Sequence, residues 1–111
     1  MHEKRAQTRG LMREDALLAG AAGQARQPVI MLDISRLGVC FASPAPLEAS
    51  SRHLLIFSLP GKLHTHESVV QVGHSSTSGV PSGYRIGARF VHMQVETTDE
   101  IVAFITTTAP A

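Results

Sequence analysis

Apolar and β-branched residues come in short bursts along this chain, and each burst is closed by a turn signal. Residues 28–35 (PVIMLDIS) form a brief apolar run that predicts a buried strand. Residues 37–42 (LGVCFA) predict a second strand one tight turn later, ended by Pro44 and Pro46, since proline cannot donate to a sheet ladder. Residues 53–59 (HLLIFSL) predict a third, stopped at Pro60-Gly61. Residues 63–74 alternate in part, with Val70 and Val72 on one face and Val69 and Gln71 on the other. A loop of Ser, Thr, Gly and Pro is predicted over 75–83. Residues 84–91 alternate cleanly: Tyr84, Ile86, Ala88 and Phe90 share one face, and Arg85, Gly87 and Arg89 the other. Ahead of these, residues 16–19 fit an opening strand, although Ala and Leu also suit a helix, and GAAG at 20–23 reads as a turn.

The period changes near the C-terminus. Thr97 and Glu100 have the spacing of a capping box, and Ile101, Phe104 and Ile105 follow at the spacing of one helical face. Such a short helix, rich in β-branched residues, needs packing to hold it. Five or six strands and one closing helix point to a small barrel or sandwich.

At 111 residues the chain is sized for one domain, and 43% hydrophobic with 17% charged residues is a globular composition. Residues 1–13 stand apart as an arm carrying Lys4, Arg5, Arg9 and Arg13, ahead of a domain over 14–107. The net charge of +1 argues against a whole-surface field for nucleic acid. The aromatics Phe41, Phe57, Phe90 and Phe104 sit in apolar stretches rather than on a base-stacking platform, so neither DNA nor RNA is the expected partner. A single cysteine excludes an intrachain disulfide and a Cys-based zinc site. No apolar run reaches the ~18 residues needed to span a bilayer, and no apolar segment follows the charged N-terminus as in a secretory signal. The expectation is a soluble protein of a reducing compartment, with no membrane insertion.

Catalytic signatures are absent: there is no G-x-S-x-G elbow, no P-loop and no G-x-G-x-x-G. His64 and His66 share one strand face, but two ligands do not close a metal site, and no Asp, Glu or Cys is placed to complete one. They are expected to be solvated surface residues, and no metal is assigned. Cys40 reads as a small buried hydrophobe.

Two local patterns carry more. Arg5 and Arg9 are four apart, so in a helical turn their guanidinium groups lie on one side, able to grip phosphate bidentately and stack on a base. Asp33-Ile-Ser35-Arg-Leu-Gly38 sits at a strand-to-strand turn, where Asp offers acceptors, Ser a hydroxyl, and Gly a close backbone approach or a positive φ.

In this order, with Asp33 placed 24 positions after Arg9, the two patterns closely resemble the R-x-x-x-R and [D/N]-x-S-x-x-G motifs of the PilZ domain family. The segment Tyr84-Arg-Ile-Gly-Ala-Arg-Phe90 is similar to that family's last strand, and the likeness runs over roughly residues 4–106. Leu37 stands where many members have a second glycine, and the first strand is poor in β-branched residues. The resemblance implies a six-stranded antiparallel β-barrel with a short C-terminal helix. It also implies binding of the bacterial second messenger cyclic di-GMP in the cytoplasm, with no enzymatic activity and no other cofactor. By motif match, Arg5, Arg9, Asp33, Ser35 and Gly38 take the ligand-binding roles, with Lys4 and Arg36 as possible additions. Two phosphates and two guanines suit arginine, and Asp33 can accept from a guanine N1–H or N2–H₂. A protein of this kind relays the signal to a downstream protein partner. The alternative is a PilZ-like interaction module of pilus or secretion assembly that works without nucleotide. A small hydrolase or metal enzyme built on the histidines is the remote third reading.

Overall fold

The computed structural model describes residues 9–20, 26–77 and 83–108. Six strands, β1 (Gly10–Gly20), β2 (Gln27–Ile34), β3 (Gly38–Ser43), β4 (Arg52–Phe57), β5 (His66–Ser76) and β6 (Tyr84–His92), are followed by helix α1 (Val95–Thr108). All neighbouring strands are antiparallel, and they close into a barrel in the order β1-β2-β3-β6-β5-β4. Among the described residues, closure leaves no barrel strand with an unpaired edge.

The inward faces supply the core. Val29 and Met31 of β2, Val39 and Phe41 of β3, Leu55 and Phe57 of β4, Val70 and Val72 of β5, and Ile86 of β6 are all buried. Ile101 and Ile105 of α1 join this cluster and Phe104 packs against it, so the helix docks by the face its spacing predicts.

Three boundaries differ from the sequence expectation. β1 begins at Gly10 rather than near Ala16, so residues 10–13, read as part of the arm, lie in the barrel, where Gly10 and Leu11 pair with Ile34 and Asp33. The periodicity is hidden because the ladder slips between Leu11 and Glu14 and the first half of β1 is charged. β5 begins at His66 and continues to Ser76, leaving Leu63 fully exposed. The helix opens at Val95, so Thr97 lies inside it and is buried; it does not act as an N-cap. Lys4, Arg5 and the segment 21–25 lie outside the described residues.

Candidate ligand-binding cleft

Two irregularities in the ladder build the site. Val29 and Met31 face the core, and strict alternation would send Asp33 in after them. The register shifts between Met31 and Asp33, and Ile34 takes the core position instead, while Asp33, also buried, lines an outer cleft. β5 repeats the device: Val70 and Val72 are buried, the register shifts between Val72 and His74, and His74 is exposed on the same cleft. Such bulges re-aim a side chain at the cost of one ladder position.

The result is a row across four strands, in which Asp33 pairs with Cys40, Cys40 with Gly87, and Gly87 with His74. Gly87 keeps the middle of the row flat, since a Cβ there would run into the His74 imidazole. On either side of it along β6 stand Arg85 and Arg89, the latter paired with Gln71 and Gly38. These groups and Arg9 enclose a cleft of about 550 Å³.

Asp33 is the cleft's single carboxylate among the described residues and is held from both sides. Arg9 donates from Nε to its Oδ1 at 2.6 Å, and Nη2 of Arg85 stands 3.6 Å from its Oδ2. Arg9, Arg85 and Arg89 against Asp33 leave the cleft with surplus positive charge. Burial pushes the Cys40 thiol above its ordinary pKa, the nearby Arg85 opposing this, so the sulfur in the cleft floor stays protonated at neutral pH.

The turn between β2 and β3 explains the remaining motif residues. Ser35 Oγ accepts from the backbone N–H groups of Leu37 and Gly38 at 3.3 and 3.2 Å, and Ser35 N–H donates to the Gly38 carbonyl at 2.8 Å. Arg9 Nη1 reaches the same hydroxyl at 3.4 Å. Gly38 is required by close approach and not by a positive φ: a Cβ there would stand 2.7 Å from the Ala88 carbonyl oxygen of β6. Opposite, Ser50 borders the cleft at a φ of 72°, fixed by the bond from its N–H to the Val72 carbonyl.

Arg9, Asp33, Ser35 and Gly38 are therefore brought together as the sequence spacing suggests. Arg36 is exposed at the turn and does not line the cleft, and Arg5 and Lys4 lie outside the described residues. Sequence reasoning missed Arg85, Arg89, Gln71 and His74. The alternation of 84–91 already put Arg85 and Arg89 on one outward face; what it could not give was the pairing of β6 between β3 and β5.

A second polar cluster lies at the β5–α1 end. His66 is buried, contrary to the solvated position expected, with Nδ1 2.9 Å from Thr97 Oγ1 and Nε2 3.0 Å from Glu100 Oε1. His64 Nδ1 stands 3.3 Å from Glu100 Oε2. The helix thus brings a carboxylate to the pair, and Thr97 and Glu100 are engaged with the histidines rather than with the helix N-terminus. Hydrogen bonding from His66 holds the Glu100 carboxyl below its ordinary pKa.

No curated protein matches the chain in sequence. Among solved structures, the PilZ domain of Escherichia coli YcgR with c-di-GMP superposes with a TM-score of 0.74 at 13% identity, over 96% of this chain and 92% of that one. The Bacillus subtilis inhibitor of motility MotI/DgrA gives 0.80 at 13% identity, over 96% of this chain and 51% of the other, so the present chain spans about half its length. The MrkH–c-di-GMP complex of K. pneumonia gives 0.73 at 12% identity, over 96% and 52%. At these identities the likeness is one of fold. The family model for the PilZ domain matches residues 3–107, nearly the whole chain, and together with the barrel and the paired motifs this establishes that the protein belongs to the PilZ domain family.

Proposed function

We propose that the protein is a receptor for cyclic di-GMP and binds it in the cleft between Arg9 and β6. The observation that carries this reading is the Asp33 carboxylate held between Arg9 and Arg85, on a face with further arginine in reach. An acceptor-only carboxylate next to guanidinium groups matches a guanine base attached to phosphate: Asp33 accepts from N1–H and N2–H₂, while arginine serves N7, O6 and the phosphate oxygens. The c-di-GMP named with several of the structural neighbours supports the same ligand.

In this reading Arg9 exchanges part of its contact with Asp33 for the nucleotide, and Arg5 joins it, both gripping phosphate and stacking on a base. Lys4 is an additional phosphate contact, whereas Arg36, exposed at the turn and outside the cleft lining, is assigned none. Ser35 shapes the turn and Gly38 lets β3 approach β6. The protein acts in the bacterial cytoplasm as a receptor and adaptor without catalysing a reaction. Its altered surface is read by a downstream protein partner in motility, pilus, exopolysaccharide or biofilm control.

Calorimetric titration with cyclic di-GMP tests this. Wild type is expected to saturate, with Arg9→Ala and Asp33→Asn each at least tenfold weaker. Absence of binding by a folded wild-type protein would overturn the receptor reading and leave the nucleotide-independent interaction module.

A further inference from the structure

The β5–α1 cluster has the composition of a metal site. His64 lies just ahead of β5, His66 is its first residue, and Glu100 projects from the second turn of α1. One ligand atom from each lies within 4.8 Å of the others. Ligands about 2.0–2.1 Å from a tetrahedral zinc stand roughly 3.3–3.4 Å apart. His66 Nε2 is 3.0 Å from Glu100 Oε1 and His64 Nδ1 is 3.3 Å from the other oxygen, Oε2, so each histidine already stands near that spacing from the carboxylate, and a set of one atom per residue has to close from within 4.8 Å.

The three groups also differ in freedom in a useful way. The His66 side chain is 1% exposed and lies tilted against the Phe57 ring at 5.3 Å, so its ring plane is fixed. The His64 side chain is 58% exposed and can swing to complete the coordination. Thr97 Oγ1 sits on the far nitrogen of His66, at 2.9 Å from Nδ1. A hydroxyl can donate or accept, so it accommodates either tautomer. With Nδ1–H donating to Thr97, Nε2 offers its lone pair to a cation, the arrangement of partners that orients metal-bound histidines.

We propose that His64, His66 and Glu100 bind one zinc ion, with Thr97 positioning His66 and the fourth coordination place left open. Two imidazoles and one carboxylate suit a borderline cation better than Mg²⁺ or Ca²⁺, which take oxygen ligands. The ion would join the start of β5 to α1 and so fasten the helix to the barrel. An open fourth place gives a water, or a side chain of a partner docked on α1, a point of attachment.

The test uses the full chain stripped with chelator and returned to buffer, titrated with ZnCl₂ and separately with MgCl₂. Calorimetry is expected to give one zinc per chain, a higher melting temperature with zinc, and no response to magnesium. His64→Ala and Glu100→Gln, both at partly or largely exposed side chains, are expected to fold and to bind zinc at least tenfold more weakly, without the rise in melting temperature. Thr97→Val, which keeps the three ligands, should lose about 10–100-fold in zinc affinity, the usual cost of removing a histidine's outer partner. Zinc affinity unchanged in His64→Ala and Glu100→Gln would assign the binding to other histidines and overturn the proposal, as would a wild type that does not saturate with one zinc.

Discussion

Two polar clusters sit on this barrel, and they are assembled on opposite plans. In the cleft, Asp33 is outnumbered by Arg9, Arg85 and Arg89, and the groups line an open face. At the β5–α1 end, His66 has a partner at each ring nitrogen, and Glu100 is shared between His66 and His64. The first arrangement is electrostatically incomplete and suits an anionic visitor; the second holds two elements of the fold together. Charge imbalance with exposure marks recognition, and mutual satisfaction with burial marks construction.

The contrast is broken if a cleft residue governs stability more than binding. Arg9→Ala should weaken cyclic di-GMP binding tenfold or more, about 1.5–3 kcal/mol for a lost charge-assisted bond. Its melting temperature should fall only modestly, because Arg85 stays beside the buried Asp33 carboxylate when Arg9, itself about a quarter exposed, is removed. Arg9→Lys keeps the charge and loses the planar fork, so calorimetry should place it nearer to Arg9→Ala than to wild type.

Gly38→Ala comes next, and it probes where recognition and construction meet. The added methyl carbon would stand 2.7 Å from a backbone carbonyl, which cannot rotate away. A loss of about 1–3 kcal/mol in denaturant unfolding is expected, as for other overpacked sites. Unchanged stability would mean that β3 and β6 separate easily, and with them the Asp33–Arg85 contact.

Thr97→Val sharpens the other side. It removes a hydroxyl from buried His66, and unfolding experiments on zinc-free protein should show a loss of about 1–2 kcal/mol. Cyclic di-GMP affinity should not move. The smallest effect is expected at Ser68, whose buried Oγ has no hydrogen-bond partner among the described residues. Ser68→Ala should leave stability unchanged or raise it by up to ~1 kcal/mol, since an unsatisfied hydroxyl is taken out of the core. A clear loss would show that this hydroxyl is bonded in solution.

Legibility in the sequence follows the range of the interaction. Residues 28–35, 37–42 and 84–91 declare strands because their side chains meet the core at a short, regular repeat. The Asp33–Gly38 turn is readable for the same reason: Ser35 bonds within three residues of itself. The charged first half of β1 was not readable, because its pairing partner β2 lies across a connection and the ladder slips there. The bulges at Met31/Asp33 and Val72/His74 were also invisible, and they decide which residues face the cleft. Thr97 and Glu100 were misread for a related reason. Their spacing satisfies a capping box, but only the folded barrel reveals the buried histidine that competes for both side chains.

The position of β6 between β3 and β5 has a consequence for synthesis from N- to C-terminus. Until residues 84–92 emerge, β3 and β5 each present an unpaired edge, the cleft lacks Arg85 and Arg89, and the barrel cannot close. Completion of the cleft and protection of the edges therefore come in a single step. A nascent chain stalled before Tyr84 would lack the finished cleft and be prone to edge-to-edge association, the hazard of partly folded β-sheet proteins. The strand that completes the cleft is also the one that protects the edges of the sheet.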